Sequence, residues 1–433
     1  MFSKKLNPIY LYLILTISVT GFFSFEQKDK PLKATLIPSE KFYFNSMVDC
    51  NMAEAWVGDT FRIFPGKTGE DPLWGEAKDL KYADGKNADQ AFKNRPEQFT
   101  EVKLPPNVAP ADSGLHGAVW FETIYQDKKD RSGKTLFAIY HNENYPATFL
   151  FRKETGKGYI DKDWPEGLTG ATTPAAVCRI GVMKSEDGGK SWKDKGIFLE
   201  DDQPRMLLKP INNSITFAGG VGDPSAVANG DHLYLFYSEY GYAGNFDPKT
   251  WDRDRERDGQ CISVARIKLS DLDSPLGKGK RWDGKGFNAA YDGIGKPITS
   301  IQIPVSEGGA PLSQKEAKYY WGPSVSWNYH LNAWVMLMAK TEAPKWEGNS
   351  IYISFNRNKD LGKGNNSQQW TKPELLVRKP GHTLWYPSLQ PTNSEEDIKN
   401  KNTCLKLGKK ASLFYKDNDG KKNVYWSEYI VEF

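Results

Sequence analysis

The chain of 433 residues carries 58 lysines and arginines against 54 aspartates and glutamates, with 39% hydrophobic and 13% aromatic residues. That near balance, a formal charge of +4, leaves no electrostatic footprint for nucleic acid, and no Gly-x-x-x-x-Gly-Lys-Ser/Thr loop or dinucleotide fingerprint points to phosphoryl or redox chemistry. With 39 glycines and 26 prolines interrupting most long stretches, a helical bundle is excluded, and the apolar content is ample for one large core.

Residues 1–28 read as a secretory signal or, if uncleaved, an N-terminal anchor: Lys4-Lys5, an apolar run from Ile9 to Phe25, then Glu26-Gln27-Lys28. The core of that run, Ile9 to Phe23, is short for a spanning helix, so the expected location is periplasmic or extracellular, with no membrane contact beyond the leader. Residues 29–433 are expected to form a single domain. Cys50, Cys178, Cys261 and Cys404 fit no zinc spacing and lie in or beside strand patterns, where buried free thiols are at least as natural as disulfides.

Residues 33–43 look like a strand with no local partner. A first hairpin runs from Asp49 through Trp56, turns at Gly58-Asp59 and returns to Phe64. Residues 66–112 are polar and poor in aromatics, and are expected to be irregular until a strand near Phe99–Lys103. A second hairpin runs from Leu115-His116 through a charged turn at Asp127–Gly133 to Tyr145. The third is the clearest: Gly222-Asp223-Pro224-Ser225 leads an apolar strand, Asn229-Gly230-Asp231 supplies the tight turn, and an aromatic strand alternates back to Glu239.

Its cadence recurs at Trp321-Gly322-Pro323-Ser324 with the return strand to Lys340, and at Trp385-Tyr386-Pro387-Ser388 with the return strand Ala411–Lys416. Self-similar strand pairs at wide spacing signify a radial β architecture. Five units are counted, which gives a five-bladed β-propeller, with six blades as the fallback if residues 66–112 form their own. The last unit is one strand short. The strand at 33–43 can complete it, closing the ring and hiding two sheet edges at once.

In such a ring the start of each inner strand and the end of the second strand meet at one funnel. That places Asp49, His116, Asp223, Trp321, Trp385 and Tyr386 at the axis, with His141, Glu143, Glu239 and Lys340 close by. Glu122 lies six residues beyond His116, about 20 Å along an extended strand, and is therefore not expected in the funnel.

Two resemblances follow from these residues. Ser185-Glu-Asp187-Gly-Gly-Lys-Ser191-Trp192 matches the Asp-box, a hairpin that recurs on the outer strands of sialidases and other propellers, where it serves structure. Asp49, Gly222-Asp223-Pro224 and the hairpin cadence resemble the five-bladed propeller glycoside hydrolases of the arabinanase, β-xylosidase, arabinofuranosidase and invertase type. In inverting members, that resemblance implies, Asp49 is the general base and Asp223 orients the acid and tunes its pKa. The acid of that family is a Glu before Gly-Pro in the fourth blade; this chain has Trp321 there.

Another group must then donate the proton. Glu143 and Glu239 are placed to do so, Glu143 slightly the better, with His116 or His141 as further candidates. Trp321, Trp385, Tyr386 and His382 form the expected sugar platform. Each also has a structural use: Asp223 before Pro-Ser can cap a turn, Asp49 can close an inter-blade gap, and the tryptophans can pack blade junctions.

The reading is an exported glycoside hydrolase acting on an oligo- or polysaccharide. A non-catalytic glycan-binding propeller is the alternative, and a sialidase the third, ranked last because Arg179, Arg205 and Arg266 do not fall at equivalent strand starts. No cofactor is expected. An axial calcium would be compatible with the acidic funnel, although no ligand set is legible.

Overall fold

The computed structural model describes residues 31–44, 48–71, 75–78, 80–105, 117–144, 176–200, 217–240, 261–303, 319–341, 348–364 and 367–433. The expected leader, His116 and Arg205 lie outside them.

The described chain is almost entirely antiparallel β. In order it forms β1 (Thr35–Phe44), β2 (Glu54–Val57), β3 (Thr60–Ile63), β4 (Lys67–Asp71), β5 (Gly75–Lys78), β6 (Lys81–Gly85), β7 (Thr100–Glu101), β8 (Ala118–Gln126), β9 (Leu136–Asn144) and β10 (Ala176–Ser185). Then come β11 (Lys193–Leu199), β12 (Phe217–Asn229), β13 (His232–Tyr240), β14 (Cys261–Lys268), β15 (Lys280–Arg281), β16 (Tyr319–Asn328) and β17 (Ala333–Thr341). The last are β18 (Ser350–Asn356), β19 (Glu374–Arg378), β20 (Thr383–Pro391), β21 (Lys406–Leu407), β22 (Lys410–Asn418) and β23 (Asn423–Glu432).

They assemble into five four-stranded units. These are β2-β3-β6-β7, β8-β9-β10-β11, β12-β13-β14-β15, β16-β17-β18-β19 and β20-β22-β23-β1. The fifth is completed by the N-terminal strand, as the sequence suggests, with Thr35 opposite Glu432 and Phe44 opposite Tyr425. Residues 66–105 do not build a sixth unit. Their strands are short and polar because they lie at edges: β6 and β7 finish the first unit, and the β4–β5 hairpin pairs onto β8 at Val119 and Trp120.

The central strands are apolar on both faces because every unit is sandwiched between two others. Five apolar clusters fill the five junctions. Phe64 meets Phe121 between the first and second units, and Ile180 meets Leu235 between the second and third. Phe236 and Met336 share the third junction, Leu337 and Leu413 the fourth, and Trp56 and Phe414 the one between fifth and first. That last cluster closes the ring, so the fold is a five-bladed β-propeller.

Polar ties reinforce the seams. The Asp-box hairpin connects β10 to β11; Asp187 accepts from the amides of Lys190 and Ser191 and from the Ser191 hydroxyl, while Trp192 is buried with Nε1 donating to Gly189 O. Its Gly188 carbonyl accepts from Arg62 of the first unit at 2.5 Å, so the motif acts as a structural clasp between units. The four cysteines are free and buried.

At the closing seam, Trp56 Nε1 donates to Asn402 O and the Cys404 amide donates to buried Glu54. Burial pushes the Glu54 carboxyl from 4.5 up to about 8. With its folded pKa above the unfolded one, the stability this group lends is complete below pH 4.5 and is lost as pH rises toward 8. Glu54→Gln keeps the acceptor without the proton. We expect the wild type to lose thermal stability relative to this variant between pH 5 and 8, by on the order of several degrees, measured as melting temperature against pH.

Candidate functional site

One local device places the axial side chains. In four of the five inner strands the ladder slips by a residue at the same level: after Phe121 in β8, Gly222 in β12, Trp321 in β16 and Trp385 in β20. In the last three the extra residues are Asp223-Pro224, Gly322-Pro323 and Tyr386-Pro387, each followed by Ser. Proline has no amide hydrogen to lose, so a bulge is where an inner strand tolerates it. The residue before it takes a left-handed backbone, φ 47° at Asp223, 58° at Gly322 and 49° at Tyr386.

For non-glycine residues that conformation costs on the order of 1 kcal/mol or more, a strain found where geometry serves a site. In β8 the extra residue is Glu122. The residue after the slip then stitches units together: Thr123 Oγ1 accepts from the Ala226 amide and Ser225 Oγ from the Val325 amide.

Asn51 ties these bulges across the axis. Its amide donates to Glu122 Oε2 at 2.7 Å, and its Nδ2 donates to the carbonyls of Pro224 and Pro323 at 3.2 and 3.3 Å. Four units thus meet at one residue, through its backbone amide and its side chain. Around it lies a buried group made of Glu122, Asp223 and His141. His141 Nδ1 stands 3.8 Å from Glu122 Oε1 and 3.8 Å from Asp223 Oδ1. Tyr240 donates its hydroxyl to Asp223 Oδ2, and the Tyr386 side chain of the fifth unit also favours the charged form of that carboxyl.

Burial dominates the electrostatics. It lowers His141 from 6.5 to about 3, leaving a neutral imidazole beside the two acids. Burial raises Asp223 from 3.8 to about 7, with the Asp49 charge adding to the rise while Tyr240 and Tyr386 oppose it. Glu122 is raised well above the usual carboxylate range by burial and then by Asp223 beside it. The pair therefore holds a proton at neutral pH. Asp49 is different: about a third exposed, it forms an ion pair with Lys416, whose ammonium also lies 5.0 Å from the Trp385 ring.

The expected site residues divide accordingly. Asp49, Asp223, His141 and Tyr386 come together at the axis. Glu122, set aside by counting extended residues from His116, belongs there too: its bulge turns it in beside Asp223 and His141. Asn51, Tyr240 and Lys416 complete the group and had no signal in the sequence.

Glu239 does not join it. Fully buried, it pairs with Arg281 at 3.2 Å and accepts the Gly295 amide. Glu143 is half-buried one pleat beyond His141 on the same side of β9, about 7 Å further along. Trp321 and Tyr386 are buried against each other with ring centres 5.5 Å apart, and Trp385 packs edge-on to both and is the one of the three that is partly exposed.

His382 is elsewhere, its Nδ1 2.7 Å from Asp417 Oδ1, in a cavity shared with Lys379 and Trp426. Of the arginines weighed for a carboxylate clamp, Arg179 donates to Asn142 and Arg266 lies over the Phe287 ring.

Among the described residues, Glu122, His141 and Asp223 are the grouping whose ligand atoms, all within 4.8 Å of one another, could hold a cation. With one oxygen of Glu122 taken by Asn51 and one of Asp223 by Tyr240, two oxygens and an imidazole nitrogen remain. A calcium ion there would take most of its six to eight oxygens from water.

No protein-family model and no curated protein matches the sequence. Among solved structures the chain is similar to a family 43 β-1,3-galactosidase, at 11% identity and a TM-score of 0.43, over 91% of this chain and 60% of that one. It is similar also to Cellvibrio cellulosa α-L-arabinanase complexed with arabinohexaose, at 13% identity and a TM-score of 0.42, over 89% and 92%. A third is the α-L-arabinofuranosidase from Lactobacillus brevis, at 10% identity and a TM-score of 0.44, over 88% and 90%.

Since the Tyr240 hydroxyl lowers the Asp223 pKa by favouring the charged form, Tyr240→Phe should raise it further. A carboxyl titration followed by carbon NMR should move up by on the order of one unit, and an unchanged midpoint would mean that this hydrogen bond is not made.

Proposed function

We propose that the protein is an exported glycoside hydrolase that cleaves O-glycosidic bonds of an oligo- or polysaccharide at the axial mouth. The observation that carries this reading is the split between its carboxyl groups. Asp49 is accessible and paired with a cation, whereas Asp223 and Glu122 are buried and have their pKa values raised. Glycoside cleavage needs that pairing, a carboxylate on one face of the sugar and a proton donor toward the leaving oxygen.

Asp49 then acts as the carboxylate that either takes a proton from the attacking water or itself bonds to the anomeric carbon as the protonated leaving oxygen departs, with Lys416 fixing its orientation. Asp223 is the proton reserve, backed by Glu122 and aimed by Tyr240 and Tyr386. Glu143, nearer the rim, is the second group able to pass a proton to the leaving group. Gly322 occupies the position held by Asp223 and Tyr386 in neighbouring units, and a methyl group added there would meet nothing within 4 Å, so the position is open where they carry side chains. Trp385 offers a sugar ring an aromatic face. The export half of the proposal rests on Lys4-Lys5 and the apolar run after them.

A glycan-binding protein without turnover is the second reading. The burial of Asp223 and Glu122, at 3% and 1% exposure, favours it. The two separate in an assay of polysaccharides and aryl glycosides with product analysis. Hydrolysis is expected to fall by at least about a thousandfold in Asp49→Asn on every substrate. In Asp223→Asn it should fall about a hundredfold on unactivated sugars and far less on dinitrophenyl glycosides, which need no proton to depart. Full activity in Asp49→Asn would end the enzymatic assignment. Because the donor must be protonated, the rate should decline as pH rises through about 7, the value to which Asp223 is raised.

A further inference from the structure

The disc has a second mouth. A few residues beyond the bulges, the same inner strands open on the opposite face into a cavity of about 860 Å³, a size that suits a small oligosaccharide. Its walls include Tyr125 and the half-buried Trp327, whose ring lies 4.9 Å from Trp334. Its rim is cationic: Lys128 and Arg131 come from the hairpin of the second unit, Lys359 from the fourth, and Lys401 and Lys406 from the fifth.

The acids there offset these charges only in part: five cations line the mouth, and Asp127 and Asp130 are the two ionised carboxylates among its lining residues, both held in their own turn. Asp130 spends its carboxylate inside its own turn, accepting from the amides of Ser132, Lys134 and Thr135 and from the Ser132 hydroxyl. Asp127 accepts from the Lys129 amide. Glu54, at the floor, is held by the Cys404 amide and is neutral at pH 7 because burial raises it to about 8. Lys401 leans on Gly58 O and Asp59, but among the described residues Lys128, Arg131 and Lys359 enter no ion pair.

Cations on three sides of one opening, around aromatic walls, match a ligand with several spaced negative charges on a chain of rings. A single small anion would engage one side only. We propose that this second mouth is a binding site for an acidic oligosaccharide, one bearing carboxylate or sulfate groups, on the face opposite the axial carboxyl cluster. The site goes beyond the hydrolase reading and stands whether or not that reading holds.

The test is calorimetric titration of the whole protein with trigalacturonate, with a heparin-derived tetrasaccharide, with neutral cellotetraose and with adenosine triphosphate. Binding of at least one acidic oligosaccharide, weakened about tenfold by high salt, is expected, with cellotetraose and the nucleotide much weaker. Lys128→Ala combined with Arg131→Ala should weaken it by about tenfold or more while the melting temperature stays unchanged. Lys359→Ala, in a different unit, provides the same measurement should the double variant fold poorly.

Asp49→Asn should bind the acidic sugars as the wild type does, which separates this site from the axial one. Equal binding of neutral and acidic sugars, tighter binding of the nucleotide, no binding at all, or undiminished binding in a folded rim variant would each overturn the proposal.

Discussion

A single slip in the strand ladder, repeated at one level around the ring, is the constraint on which the rest of the molecule depends. An extended inner strand would alternate its side chains into the two neighbouring junctions and leave the axis to backbone. One extra residue, locked by a following proline, turns a side chain out of that alternation and toward the centre. Asp223 and Tyr386 arrive there in this way, and Glu122 by the same slip without the proline. The displaced Pro224 and Pro323 carbonyls then need donors, and Asn51 supplies them. Site and ring are thus set by one backbone irregularity.

The consequence for chemistry is a gradient of solvation within one cluster. Asp49 stands at the wet end beside an ammonium group, whereas Asp223 and Glu122 sit where a second charge has no compensation. Distance from water distributes the protons among them, without any change in residue type. The same logic runs in reverse at Glu239, where an equally buried acid is neutralised by Arg281 and becomes masonry.

Much of this was legible in the chain. The Asn229-Gly230-Asp231 turn, the Asp-box and the unpaired strand at 33–43 each carry a local signature, and together they fix the number of units and the closing partner. Asp223 was visible because Asp-Pro after glycine is itself the bulge motif. Glu122 was not, because residue counting assumes an unbroken strand and no proline marks the slip at Phe121. Glu239 and His382 were misjudged for another reason. Their partners, Arg281 and Asp417, lie 42 and 35 positions away on other strands, so nothing in the local pattern could show that they were already engaged. The polar edge strands between 67 and 101 lacked any apolar rhythm, since their pairing comes from the neighbours they cover.

The closing strand also bears on how the molecule is made. Thr35 pairs with Glu432, so β1 stays without its partner until the much later β23 has been made. Four units can stack as they emerge, each offering its apolar face to the next, but the circle is sealed in one late step with a long loop to close. Until then two strand edges stay open to foreign pairing, a period in which a folding helper would matter more than in the finished molecule.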